Sequence, residues 1–183
     1  MLEQQLEFLR GAPRDSGPVT LLTRRPASLA REVLETARVT RADGLVGDTW
    51  LERARARLIA DGRHLAAQVT VMSSRMIGLL ADSDADRAEA GDQLHVDLDL
   101  SHANLPAGSR LAVGSSLVLE VSTKPHNGCA KFVTRFGPDA TAFVNSAQGR
   151  ELRLRGLNAR VLADGEVRRG DTVTVLHRET PCT

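Results

Sequence analysis

The chain has 183 residues, 42% hydrophobic and 26% charged, a length that fits one domain with room for a short N-terminal elaboration. Lys and Arg number 24 against 23 Asp and Glu, a formal net charge of +1. No global field therefore draws the protein onto nucleic acid or an acidic membrane, and any anion site must be a local cluster of cations. Four Phe, one Trp and no Tyr leave few platforms for stacking bases. No apolar run reaches the ~20 residues of a membrane span. Two cysteines, Cys129 and Cys182, imply no disulfide framework, and the first residues lack the apolar stretch of a signal peptide. The expectation is a cytoplasmic protein with reduced thiols and neither nucleic acid nor membrane as partner.

Leu2, Leu6 and Leu9 share one helical face in residues 1–10. Gly11 to Pro18 is rich in breakers, and Val19 to Leu22 reads as a strand. Pro26-Ala27-Ser28 opens a predicted helix with Leu29, Val33, Leu34 and Ala37 on one face. Asp43-Gly44 is a turn. A basic helix is predicted over 51–60, with Leu51, Ala54, Leu58 and Ile59 inward and Arg53, Arg55 and Arg57 solvated. Residues 66–72 suit a strand, after which Ser73 or Ser74 caps a short helix carrying Met76, Ile77 and Leu80. The acidic stretch 82–92 reads as a loop. Leu94, Val96, Leu98 and Leu100 alternate with His95, Asp97, Asp99 and Ser101, the period-2 mark of a half-buried strand whose polar row faces solvent. Strands follow around Leu111 to Val113 and Leu117 to Val121. Residues 131–146 form one or two short helices, with Pro138 near the start of the second. Ala159 to Leu162, Val167 and Val173 to Leu176 are closing strands, turned at Asp164-Gly165. Evenly spaced strands with glycine turns and a few short helices predict a mainly β fold, a β-barrel with peripheral helices. No glycine-rich phosphate loop suggests a doubly wound sheet. The expected division is an N-terminal extension, 1–25, packed on a barrel of residues 26–180.

Chemistry concentrates between Lys124 and Ala140. Cys129 follows a Pro125-His126-Asn127-Gly128 turn at a strand end, near a predicted helix N-terminus. Lys124, His126, Lys131 and Arg135 flank it. Helix-terminal amides and neighbouring cations make such a sulfur a candidate nucleophile, sulfur carrier or soft-metal ligand. The same cations can hold a phosphate, and Gly128 permits close backbone approach. The bland alternative is a small buried hydrophobe, the usual fate of a free cysteine. Asp48, after Gly47 in a turn, is read first as a helix cap or Asx-turn. Arg63, His64, His102 and His177 are read as surface residues, Cys182 as a mobile residue next to the C-terminus, and Asp139 as a helix cap.

The Gly128-Cys129 run with Lys131-Phe132, Arg135-Phe136-Gly137 and Asp139-Ala140 resembles the MOSC domain, the C-terminal domain of molybdenum-cofactor sulfurases that also occurs as standalone bacterial proteins. Gly44-Leu45-Val46-Gly47-Asp48, Gln68 to Met72, Pro106 to Gly114 and Gly156 to Val161 resemble further family segments in the right order, covering roughly residues 30–177. The resemblance implies a β-barrel in which the family's single cysteine, here Cys129, carries sulfur or ligates molybdenum. Molybdenum cofactor (molybdopterin) is the implied cofactor, with Lys124, His126, Asn127, Lys131, Arg135 and Asp48 as candidate binding residues. Some family members reduce N-hydroxylated compounds. The pyridoxal phosphate mentioned for the family belongs to the separate desulfurase domain of the large sulfurases. Four positions depart from the pattern: Gly128 stands where proline is usual, Asp92-Gln93 where Glu-Asn is, Ala67 where Arg precedes Gln-Val, and Thr49-Trp50 where Arg-His follows the Gly-Asp pair.

Three functions compete. A cofactor-binding or sulfur-carrying domain would use Cys129 and take a sulfur donor or redox partner, as a monomer or homodimer. A non-catalytic module would bind anions or another small molecule in a decayed pocket. A cysteine hydrolase or transferase would need His126 beside the sulfur as base.

Overall fold

Alternating apolar residues build a ring of strands, and the helices fill the gaps around it. The computed structural model describes residues 2–180. In chain order the strands are β1 (Ser16–Arg24), β2 (Glu32–Leu34), β3 (Thr36–Thr40), β4 (Gly44–Leu45), β5 (Val69–Ser73), β6 (Leu94–Val96), β7 (Arg110–Val113), β8 (Leu117–Val121), β9 (Leu157–Ala163), β10 (Gly165–Arg168) and β11 (Thr172–His177). The helices are α1 (Leu6–Arg10), α2 (Ala56–Ala60), α3 (Ser74–Gly78), α4 (Asp84–Ala88), α5 (Ala130–Asn145) and α6 (Ala147–Glu151). The ring runs β11-β7-β8-β9-β5-β6-β1 and closes where β1 pairs with β11, so seven strands form a barrel without a free edge. Ser16 lies opposite Thr174 at that seam. Strand β2 adds to β1, and β10-β3-β4 make a small second sheet.

Neighbours in the ring are antiparallel except β5 and β6, where Val71 lies beside Leu94. A parallel pair needs a crossover, and residues 74–93 supply it through α3 and α4. Val19, Leu22, Val71, Leu94, Val96 and Leu119 fill the barrel. A second apolar cluster, with Met72, Met76, Phe132, Phe143 and Val144, binds α3 and α5 to the barrel wall.

Several expectations give way to packing. The helix expected after Pro26 is β2 and β3 instead, because Ala37 and Val39 alternate with polar residues and both are buried, while Leu29 and Val33 are exposed. The 51–60 helix shrinks to α2, and Leu51 and Ile59 of its expected inner face are exposed. The acidic 82–92 loop contains α4, capped by Ser83 Oγ accepting from Asp86 N at 3.1 Å. The 94–100 strand ends at Val96, and His95, expected on a solvent-facing wall, is fully buried. Residues 16–24, placed in the N-terminal extension, are a barrel strand. Cys182 lies outside the described residues.

The later strands fall where the alternation puts them. Ser73 caps α3, its Oγ accepting from Met76 N at 3.4 Å. The break in α5 falls at Gly137, whose φ of 85° and ψ of 169° leave helical space just before Pro138; proline suits the first turn of the helix that resumes.

Gly156 opens β9 with a φ of 96°, and a Cβ there would stand 2.2 Å from the Val71 carbonyl oxygen. Gly156→Ala is expected to destabilise the barrel by about 3 kcal/mol or more, through backbone strain and overlap with β5, read as a lowered midpoint in denaturant unfolding.

Candidate functional site

Cys129 is exposed and immediately precedes α5, whose first turn begins with Phe132 N and Val133 N donating to the Cys129 carbonyl at 2.8 and 3.0 Å. Its side chain makes no capping hydrogen bond. The sulfur is therefore presented at the helix start without being spent on it. The segment before it is held rigidly. Gly128 N donates to Asn145 Oδ1 at 2.9 Å, and Asn145 Nδ2 donates back to the Gly128 carbonyl at 3.0 Å. Asn158 Nδ2 donates to the Lys124 and Pro125 carbonyls at 3.2 and 3.1 Å. A Cβ on residue 128 would come within 3.1 Å of Thr141 and Val144, so the fit of α5 against the loop favours glycine here.

Beneath this loop lies Asp92, fully buried. One carboxylate oxygen accepts from His126 Nε2 at 2.7 Å and the other from Arg155 Nη1 at 2.5 Å. Its backbone carbonyl accepts from Thr23 Oγ1. Burial opposes its charge, but the Arg155 guanidinium and then His126 outweigh burial and hold the carboxyl well below the usual range. Arg155 also donates to the Ala90 carbonyl at 3.0 Å and lies 4.9 Å from the Phe132 ring centroid, a cation–π contact. One buried carboxylate thus braces His126 before the cysteine and, through Arg155 and Phe132, the helix after it. Burial outweighs Asp92 at His126 and lowers its pKa, leaving the ring neutral at pH 7 as a donor through Nε2.

A second buried aspartate does the same on the neighbouring wall. Asp48 has no exposed side-chain surface. It accepts from Arg25 N, Nε and Nη2 at 2.9, 2.8 and 2.8 Å, and Arg53 Nη2 lies 3.7 Å away. These arginines, with Trp50, His64, Thr70 and Lys124, line an open basin of about 290 Å³ that no carboxylate lines among the described residues. Burial and then the Arg25 charge lower the pKa of Arg53, and an anion placed here would offset the repulsion between the two arginines. The Trp50 and His64 rings stack at 5.4 Å on one side.

The structure gathers the sequence candidates unevenly. Lys124, Asn127 and Lys131 are exposed around Cys129. His126 faces inward to Asp92. Arg135 is committed elsewhere, with Nε 2.7 Å from a Glu89 carboxylate oxygen and Nη1 donating to the Glu89 carbonyl at 2.7 Å. Asp48, read as a cap, is the anchor of an ion pair. Arg53 and His64, read as surface, line the basin. Arg25, Asp92 and Arg155 carry the arrangement; Arg25 and Arg155 have no local sequence signal, and Asp92 has only its place at the family's Glu position. Asp92 and Arg155 meet only through the pairings of β6 and β9 with β5, 63 residues apart in sequence.

The sequence profile of the MOSC domain matches residues 64–174, more than half of the chain. The chain belongs to the MOSC domain family. Among solved structures, the MOSC barrel here is similar to the YuaD protein from Bacillus subtilis, with a TM-score of 0.64 at 20% identity over 90% of this chain and 97% of that one. It is also similar to YiiM from Escherichia coli, with a TM-score of 0.59 at 18% identity over 92% and 73% of the two chains. YiiM from Geobacillus stearothermophilus gives 0.55 at 13% over 93% and 77%. These likenesses establish the fold. No curated protein matches the chain. Against the MOSC pattern, Asp92 at the Glu position keeps its carboxylate and is the pivot of the site, and Gln93 Oε1 at the Asn position accepts from Thr70 N at 2.9 Å. Among the described residues no helix is long and apolar enough to cross a membrane.

Two outcomes follow from the buried groups. Asp92→Asn leaves Arg155 without its counter-charge and is expected to cost about 3–5 kcal/mol, measured by chemical unfolding. The second concerns acid. Burial pushes the His95 imidazole down to about 4, and neither ring nitrogen has a hydrogen-bond partner among the described residues. An unfolded histidine titrates near 6.5, so between about 6.5 and 4 the unfolded chain takes up a proton that the folded chain refuses. Stability is complete above that window and falls as pH drops through it; His126, also lowered, adds in the same sense. Tm is expected to decline from pH 7 to 4, with a shallower slope in His95→Gln. A Tm flat across that range would contradict a buried neutral His95.

Proposed function

We propose that this MOSC protein binds molybdenum cofactor at the basin beside Cys129. On this reading the thiol is a molybdenum ligand or a carrier of sulfur, and the protein is a component of a system reducing N-hydroxylated compounds. The observation that carries the reading is an exposed, uncommitted thiol on a rigid loop whose Lys124 lines a basin of cations. The residues present fit the group. A phosphate-bearing pterin needs donors for its anion, and Arg25, Arg53 and Lys124 supply them. Molybdenum is a soft partner for a thiolate, and Cys129 is the sulfur available. The cofactor would bring two-electron redox chemistry at its metal.

The protein's own part is to bind, orient and present. Asp48 fixes the Arg25 guanidinium, so its remaining donor faces are set before any ligand arrives. Asn145 and Asn158 hold the loop backbone, so the sulfur occupies one place relative to Lys124. Lys131, on the first turn of α5, adds an exposed positive charge. His126 Nε2 donates to Asp92 and supports the loop, while among the described residues no hydrogen bond joins its other ring nitrogen to the Cys129 sulfur, which weighs against the hydrolase reading. Electrons or sulfur would come from a partner protein, and a cytoplasmic setting keeps the thiol reduced.

A second reading, an anion-binding barrel without redox chemistry, is favoured by one observation: cations line the basin whether or not the thiol takes part. The two separate on metal content. The protein is expressed in cells that make molybdenum cofactor, and molybdenum is measured by plasma mass spectrometry. Near-stoichiometric metal is expected in the parent chain and none in Cys129→Ala. Arg25→Ala is expected to retain about a tenth or less, the loss of charge-assisted bonds to the phosphate. Metal absent from the parent chain as well would overturn stable cofactor binding and leave the anion-binding barrel.

A further inference from the structure

A second cavity borders the segment before the cysteine. It measures about 100 Å³, between residues 122–127 and the turn from Gly149 to Leu157. That is a few water volumes, too small for a drug-sized ligand and large enough for a small ion. Its wall carries His102, Lys124, His126, Arg150, Arg153 and Arg155, and no carboxylate among the described residues.

Arg153 is the unusual member. It is 8% exposed, and no carboxylate among the described residues pairs with it. Its Nη1 donates to the Leu100 and Leu105 carbonyls at 3.2 and 2.6 Å. Nε and Nη2 have no protein acceptor there. Burial alone lowers its pKa, to about 10. The backbone of Arg153 is left-handed, with φ 48°, a costly conformation for a side-chain-bearing residue that needs support from its surroundings. A buried guanidinium is ordinarily paired, because an uncompensated buried charge is expensive. Arg155, 6% exposed, is paired to Asp92 but keeps a buried Nε with no partner among the described residues. Arg150 stands exposed at the rim without an ion pair among the described residues.

We infer that this cavity is a binding site for a tetrahedral oxyanion of the phosphate or sulfate class, with Arg153 as its buried counter-charge and Arg150, Lys124 and His102 closing over it. The site is separate from the proposed cofactor basin, sharing only Lys124, and does not depend on Cys129. The bound species is either the free ion or the terminal group of a phosphate monoester, since both present the same oxygens to the arginines.

Isothermal titration of the full chain with inorganic phosphate at pH 7 and low salt tests this. A saturable phosphate site is expected that is weakened about tenfold by Arg150→Ala and more by Arg153→Gln, whatever anion the cofactor basin also takes. Cys129→Ala and Arg53→Ala are expected to leave it unchanged. Arg153→Gln also loses bonds to the Leu100 and Leu105 carbonyls and could unfold; the exposed Arg150→Ala keeps the test decisive. Phenyl phosphate distinguishes the sources: binding by both ligands assigns the site to a terminal phosphate group, binding by inorganic phosphate alone to the free ion, and either supports the site. No saturable binding at millimolar phosphate overturns it. Binding that Arg53→Ala abolishes and Arg150→Ala leaves intact also overturns it, because the anion then sits in the cofactor basin. Those results leave the metal measurement untouched, so the two readings fail separately.

Discussion

The cysteine loop depends on one buried charge. Asp92 lies at the entry to β6 with no solvent to stabilise it, so its carboxylate must be met from within the protein. His126 meets it from the segment before Cys129, and Arg155 from the strand entry at β9. Breaking either contact would strand a buried charge or donor, which is costlier than losing a surface ion pair. The loop is therefore fixed by an electrostatic requirement that originates in the barrel wall. Its conformation does not rest on the weak preferences of Pro125 and Gly128.

The same device occurs twice around the candidate site. Asp48 and Asp92 are both enclosed, and each holds an arginine whose other face borders a cavity. The acid lies behind and the guanidinium in front. From solvent, only the positive side of each pair is on view. A chain with a net charge of +1 can thus offer strongly cationic concavities. Its carboxylates neutralise the arginines in formal charge while leaving guanidinium donors on the cavity walls.

The barrel was legible where side chains alternate cleanly. Leu117, Leu119 and Val121 announce β8, and Val173 with Val175 announces β11, because a two-residue period has one buried face. The reading failed between residues 26 and 60. There Leu29, Val33 and Leu51 mimic a helical stripe but remain exposed, and the small sheet takes Ala37 and Val39 instead. His95 departs from the expected solvent-facing wall because alternation marks two faces without saying that both are covered; its neighbour across the β5–β6 pair, Met72, belongs to the second apolar cluster, which lies on that other face. At the site, Cys129 and its cations were visible because they are contiguous. Arg155 and Arg25 carry no signal in isolation, because their meaning arises from strand pairing across tens of residues and a lone charged residue reads as solvated surface; Asp92 is marked only by the family resemblance, at the Glu position, with no hint of its partners.

The seam between β1 and β11 bears on how the molecule is made. Ser16 pairs with Thr174 and Pro18 with Thr172, so two of the most distant strands in sequence must meet before the ring exists. Closing so large a loop is entropically slow, and contacts of this range lengthen folding times. During synthesis, β1 emerges early and waits with one edge unpaired until β11 has cleared the ribosome. Such an edge is a template for wrong partners. The lysine- and proline-type protections of an edge strand are nearly absent from β1, whose Pro18 is the one such residue in Ser16–Arg24. The growing chain is most exposed to misassociation in that interval, while the finished barrel has no such edge in its ring.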